Sequence, residues 1–211
     1  MQLISNSFQD GQAIPGEFAF AVPSADTHVA LSSNRNPHLA WSDVPVGTQS
    51  FVIVCHDPDV PSRGDDVNQE GREVPADLPR GDFFHWLLLD IPAGTTSIAA
   101  GSHSSEVTAR GKPGPVAAGG LRHGINDYTA WFAGDAQMKG DYFGYDGPCP
   151  PWNDTLVHRY IFTVYALATR TLAVDGALTG TNVRAALADA PILGHASLTG
   201  LYRLNPSVPL D

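Results

Sequence analysis

Charge is scarce in this chain of 211 residues: 16% of them are Asp, Glu, Lys or Arg, and 22 acids outnumber 12 bases for a formal charge of −10. A chain so short of cations carries no basic footprint for duplex nucleic acid or an anionic membrane surface, so any anion it binds must be held by a local pocket. Cysteine is nearly absent too. Cys55 and Cys149 are too few for a disulfide scaffold and lack the paired spacing of zinc sites, and two reduced thiols are the expectation. No stretch approaches the ~18 consecutive apolar residues that a membrane helix needs. The N-terminal MQLISNSFQD has neither the basic nor the apolar region of an export signal, which gives a cytoplasmic location as the expectation.

What is present points to a folded, mainly β chain. Hydrophobic residues reach 43%, too many for disorder, and the length suffices to bury a core without disulfide or metal staples. Glycine (21) and proline (17) suit many short strands joined by tight turns better than a helical bundle. Residues 51–55 (FVIVC), 86–89 (WLLL) and 160–167 (YIFTVYAL) are continuous apolar runs rich in β-branched and aromatic side chains, the pattern of central strands. Residues 17–22, 38–41, 96–100 and 196–204 read as edge strands. Val183, Ala186, Leu187 and Ala190 share one helical face, which predicts a short C-terminal helix capped at Thr181 or Asn182 and stopped by Pro191. Without repeats, linkers or low-complexity tracts, one domain over 1–211 is expected.

Two long connections remain. In 58–84 the acids Asp65, Asp66, Glu70, Glu73, Asp77 and Asp82 outnumber Arg63, Arg72 and Arg80, so this segment should be solvated and form a rim. The other, 101–157, carries Tyr128, Trp131, Phe132, Tyr142, Phe143, Tyr145 and Trp152, too much aromatic surface for a flexible linker; it should pack onto the sheet or onto a partner.

Chemistry-bearing residues gather at the ends of the predicted strands. Asp57 follows the first central strand and His85 precedes the second, so antiparallel pairing brings both to one end of the sheet. His158 stands at the entry of the third, with Tyr160 on its face and Arg159 on the other. The preceding GYDGPCPPWND, dense in glycine and proline, can form a rigid wall offering the N–H groups of Gly147 and Cys149 to a ligand. Each residue alone has an ordinary structural explanation; the convergence is the functional signal. His56, Asp57, Asp59, His85 and His158 lack the spacing of zinc motifs, and neither metal nor cofactor is expected. There is no GxSxG elbow, HExxH motif or phosphate-binding glycine loop, although Asp57 with a histidine leaves acid–base hydrolysis of a phosphate or acyl ester as the alternative function.

At these residues the sequence resembles a family. HDPDVP (56–61), HW (85–86), GYDGPCPP (144–151) and HRY (158–160), in this order, resemble the signature of the phosphatidylethanolamine-binding proteins, which include the Raf kinase inhibitor protein. The opening LISNSFQDG, NPHLAW (36–41) and the closing helix and strand are similar to the bacterial and archaeal branch. The chain departs from the compact bacterial pattern in its acidic insert between Pro61 and His85 and in an enlarged segment around GINDYTAWFAGD. The resemblance implies two antiparallel sheets packed face to face and a small anion-binding pocket lined by Asp57, Pro61, His85, Gly147, Pro148, His158 and Tyr160. It also implies a cis peptide at Val60–Pro61. The expected function is binding of a small phosphate-bearing or zwitterionic ligand of the phosphoethanolamine type, with a partner kinase or protease and a homodimer as the protein contacts that the family suggests. Two imidazoles, a tyrosine hydroxyl and backbone N–H groups suit a phosphate, while Asp57 suits an amine or fixes a histidine tautomer.

Overall fold

The apolar runs become long strands because both of their faces are covered. The computed structural model describes residues 1–210, and among them the strands are β1 (Gln2–Ile4), β2 (Gln12–Ala13), β3 (Ala21–Ser24), β4 (His28–Leu31), β5 (Leu39–Ser42), β6 (Ser50–Pro61), β7 (Arg80–Pro92), β8 (Ser97–Ile98), β9 (Arg122–His123), β10 (His158–Leu167) and β11 (Ile192–Tyr202). Two α-helices, α1 (Tyr128–Trp131) and α2 (Gly180–Asp189), accompany them. The large sheet has the order β2-β11-β10-β6-β7-β9, the second sheet β1-β5-β8, and β3 and β4 form a hairpin. All pairs are antiparallel except the short β11–β2 pair.

In β6, Phe51, Ile53 and Cys55 face a core shared with Leu3, Leu39, Trp41 and Ile98 of the second sheet. Val52 and Val54 face the other way, against Leu172, Leu178 and the Val183 and Leu187 stripe of α2. Strand β7 divides likewise, Trp86 and Leu88 to one side and Leu87 and Leu89 to the other. A strand buried on both faces reads as a continuous apolar run rather than an alternating one.

The structure corrects several boundaries. Helix α2 is capped by Thr179, whose hydroxyl accepts from the Asn182 N–H at 3.3 Å, two residues earlier than Thr181. Gly180 then lies so close to Phe84 that an added Cβ would sit 2.0 Å from its ring. Residues 17–22 do not form one strand: a 3-10 turn (Gly16–Phe18) leads into β3, and the N–H of Phe20 goes to the Pro148 carbonyl instead of a ladder. Strands β6 and β7 run on into the first connection, with Val60 opposite Gly81 and Pro61 opposite Arg80, so the irregular part is only 62–79. Asp57 and His85 consequently lie within paired strands, not beyond their ends. The ladder shifts register between Asp57 and Val60, where Pro58 supplies no N–H. Pro61 ends the extended strand, and the cis X–Pro peptide among the described residues is Gly114–Pro115, not Val60–Pro61. The second connection carries β9 and α1, and Tyr128, Tyr142 and Tyr145 are buried in it, while Trp131 stays exposed.

Phe162, fully buried on β10, packs its ring 5.7 Å from Phe8. Phe162→Ala should cost ~3–5 kcal/mol of unfolding free energy through lost burial and a residual cavity. Urea denaturation followed by circular dichroism measures it; a loss below ~1 kcal/mol would mean that this core can collapse around the missing ring.

Candidate functional site

Three adjacent strands, β7, β6 and β10, carry His85, Asp57 and the His158–Tyr160 pair to one place. All four side chains are buried yet border a pocket of about 260 Å³. Pro61, Val60 and Phe83 continue its wall; Phe20, Tyr128, Trp131 and Phe132 add aromatic surface; Arg63, Val67 and Asn68 come from the acidic insert. The volume suits a small molecule or a headgroup.

His158 is wholly engaged by protein. Its Nδ1 lies 2.7 Å from Asp57 Oδ2 and its Nε2 3.0 Å from Asp154 Oδ2. Two carboxylates can only accept, so the ring bridging them is an imidazolium. Burial alone would depress its pKa, but the hydrogen bonds to Asp154 and Asp57 outweigh it and hold the pKa at about 9. Arg80 caps the chain with a two-pronged contact to Asp154 at 2.6 and 3.1 Å. With no nitrogen left over, His158 positions Asp57 and offers nothing to a ligand directly.

His85 is held differently. Its Nδ1 meets the backbone carbonyl of Asp146 at 2.8 Å, which requires a hydrogen on that nitrogen. Nε2 has no protein partner among the described residues. Burial pushes the His85 pKa down against the opposing pull of Asp57 and of the Asp146 carbonyl. The carbonyl is fixed in turn, because the Asp146 carboxylate accepts from Asn34 (2.7 Å), Asn126 (2.8 Å) and Lys112 (2.8 Å). Tyr160 is 1% exposed, and its hydroxyl makes no hydrogen bond of good geometry, although the Asp57 carboxylate stands close to it beside the pocket. Burial, then the nearby Asp57 charge, raises its pKa well above the usual phenol range.

Of the residues anticipated at the site, Asp57, Pro61, His85, His158 and Tyr160 border the pocket; Gly147 and Pro148 do not line it but hold residues that do. The Gly147 N–H donates to Asn34 Oδ1 at 2.8 Å, its carbonyl takes the Tyr128 hydroxyl, and the Pro148 carbonyl takes the Phe20 N–H. Gly147 is where only glycine fits, since a Cβ would meet the Phe18 carbonyl oxygen at 2.2 Å. Cys149 does reach the pocket, and burial pushes its thiol up to about 12, so it is protonated and inert as a nucleophile. His56 lies elsewhere, 3.8 Å from Asp82, and Asp59 pairs with Arg159 at 2.7 Å. Among the described residues, no group of three or more His, Cys, Asp or Glu side chains is arranged to hold a metal ion. Sequence reasoning missed Asp154, Arg80 and Asp146. Asp154, four residues before His158 in an irregular stretch, gave no periodic signal.

Residues 4–203 match the sequence profile of the family described as Phosphatidylethanolamine-binding protein. The chain belongs to that family. Among relatives of this phosphatidylethanolamine-binding protein family member, the UPF0098 protein YbhB of Escherichia coli is 34% identical over 208 residues, covering 96% of this chain and 99% of the relative. The crystal structure of E. coli YbcL, described as a new member of the mammalian PEBP family, superposes with a TM-score of 0.66 at 26% identity, covering 96% and 97% of the two chains. A phosphatidylethanolamine-binding protein homologue from Chlamydia trachomatis, CT736, gives 0.61 at 25% identity, with 96% of each chain covered. No helix among the described residues is long and apolar enough to cross a membrane.

The protonated His158 sets a pH signature for this family member. Its folded pKa of about 9 exceeds the ordinary 6.5, so its contribution to stability is complete below pH 6.5 and is lost as pH rises through 9. Asp154→Asn removes one of the two carboxylates and should shrink that loss. Urea midpoints measured from pH 6 to 9.5 test this, and a wild-type midpoint flat over that range would show that the ring is not held as the cation.

Proposed function

We propose that this pocket binds a small phosphate-bearing or zwitterionic ligand, and that the protein works as a ligand-binding module. One observation carries the reading: the buried Tyr160 hydroxyl, without a well-formed hydrogen bond in the protein, borders the same pocket as His85, whose Nδ1 is committed to the Asp146 carbonyl, with apolar walls around them. A buried donor without a partner costs about 1–3 kcal/mol, which a ligand acceptor restores. Family membership supports ligand binding in general. In this reading Tyr160 and His85 hold the phosphate, Asp57 takes an ammonium or hydroxyl of the same ligand, and Pro61 shapes the wall. His158 keeps the Asp57 carboxylate aimed, while Gly147 and Pro148 act by fixing the backing segment. The aromatic rim made by Phe83 and Trp131 covers whatever apolar group the ligand bears.

Titration calorimetry with phosphoethanolamine at pH 6 tests the assignment. His85→Ala should weaken binding by about 1–3 kcal/mol, the scale of a hydrogen bond to a charged group, and Tyr160→Phe should weaken it by a similar or smaller amount. Unchanged affinity in both folded variants would remove the ligand from this pocket. Turnover of a phosphate or acyl ester that disappears in His85→Ala would replace binding by hydrolysis as the function.

A further inference from the structure

The polar base is only one part of the pocket. From the His85 ring an aromatic strip leads away: Tyr128 stands edge-on to it at 5.6 Å, and Phe20 and Phe132 stack on Tyr128 at 4.6 and 5.5 Å. The Tyr128 hydroxyl is already donated to the Gly147 carbonyl at 2.7 Å, so this ring lines the pocket as apolar surface. The strip ends at Trp131, which is 54% exposed. The β3–β4 hairpin adds Leu31, 65% exposed, to the mouth of the same pocket.

Large apolar side chains scattered singly over a surface need no explanation. Here two of them border one cavity and continue its apolar lining into water, the pattern of a surface that a ligand covers. Few polar groups along the strip are free to meet a heteroatom. The Asn68 side-chain oxygen takes the Trp152 N–H at 3.0 Å, and the Tyr128 hydroxyl is spent as above. A hydrocarbon chain needs no such partner, whereas a nucleobase or sugar would leave its own donors and acceptors unmatched. The volume of about 260 Å³ lies below the ~300–1,000 Å³ usual for sites of drug-sized ligands, so a phosphate head and a short length of chain fill it. Trp131 and Phe132 come from GINDYTAWFAGD, outside the motifs that carry the family resemblance.

Resting on the phosphate reading above, we propose that the strip from Tyr128 to Trp131, together with Leu31, is a second subsite that takes one hydrocarbon chain of the ligand. The molecule bound is then an amphiphilic alkyl ester of the phosphoethanolamine type rather than the head alone. Its phosphate and ammonium stay at the base with Tyr160, His85 and Asp57, and its chain runs out over Tyr128 and Phe132 to cover Trp131 and Leu31. Each methylene that leaves water on this path raises the affinity by about fourfold, until the chain passes the mouth and returns to solvent. Trp131 and Leu31 are specificity-determining residues in this arrangement, because they set how much of the chain is covered.

Two zwitterionic phosphodiesters that differ only in chain length test this by titration calorimetry: the methyl and the n-butyl ester of phosphoethanolamine. The butyl ester should bind the wild-type protein roughly tenfold more tightly or better. Leu31→Ser and Trp131→Ala should each lower the butyl-to-methyl ratio by about threefold or more. The ratio is taken within one protein, so a change in affinity for the head cancels. Both side chains are mostly in water, which leaves the fold in place, and the wild-type comparison stands without either variant. Equal affinity for the two esters overturns the chain subsite and leaves the phosphate reading intact. A butyl preference untouched in both folded variants also overturns it, because the chain then lies on another surface. Binding of neither ester removes the phosphate reading and this inference together.

Discussion

An imidazolium closed in between two carboxylates, with a guanidinium behind one of them, is a buried arrangement in which every member needs every other. His158 is inaccessible to water, and so nearly are Asp57 and Asp154; Arg80 completes the series. Taking such groups out of water costs several kcal/mol per ion, and only good geometry offsets it. Deleting one partner leaves a bare charge in the interior, a far worse state than the balanced chain. The four residues come from β6, from β10 and the turn before it, and from the first position of β7. Any slip in how these segments pair therefore exposes an unmatched charge to the core. The register of the central strands and the shape of the pocket base are thus one constraint.

A second hub does the same for the opposite wall. The Asp146 carboxylate gathers Asn34, Asn126 and Lys112, while its N–H and carbonyl bracket His85 on β7 through main chain and ring. The tautomer of His85 follows from a carbonyl set in place by residues twenty or more positions away. The acidic insert is pinned from the same stretch: the Asn153 amide donates to the carbonyls of Asp66 and Arg72 and accepts from the Asn68 N–H. Across the mouth, His28 at the β3–β4 turn stacks on Trp152 at 3.8 Å and meets Glu70 at 2.6 Å. An insert rich in acids is thus held as a wall by the Asn153 amide and backbone together with individual pairings of its acids, such as Glu70 with His28 and Asp66 with Arg72.

This division explains what could be read from the sequence. The runs at Phe51, Trp86 and Phe162 announced central strands because their two-sided burial leaves no polar alternation, and the Val183–Leu187 spacing announced the helix because helical period is local. Asp57, His85, His158 and Tyr160 stood out by their positions near strand ends, although the strands proved longer than the apolar runs. Polar strand residues such as Asp57 and Asp59 are invisible to a hydrophobic pattern; they belong to strands only because His158 and Arg159 receive them. Asp154, Arg80 and Asp146 were silent for the same reason, since their partners lie 4 to 112 residues away and no local propensity encodes such a pairing. The helix cap falls two residues before Thr181 because Gly180, with no side chain, lets the Phe84 ring approach there, a tertiary contact that the helical period of the apolar stripe does not carry.

Balanced ion pairs have a further consequence for recognition. With a formal charge of −10 overall and no spare cation at the pocket base, the chain has no long-range field to draw an anion in, so encounter is not electrostatically steered. What remains is short-range: the buried Tyr160 hydroxyl, the His85 ring and a rigid apolar wall. These groups are already fixed by packing and by their own supports, so little ordering accompanies ligand entry. For the proposed ligand, such a site substitutes short-range hydrogen bonds and shape for the reach of charge, and in a low-dielectric interior each hydrogen bond made or left unmade weighs more than it would in water.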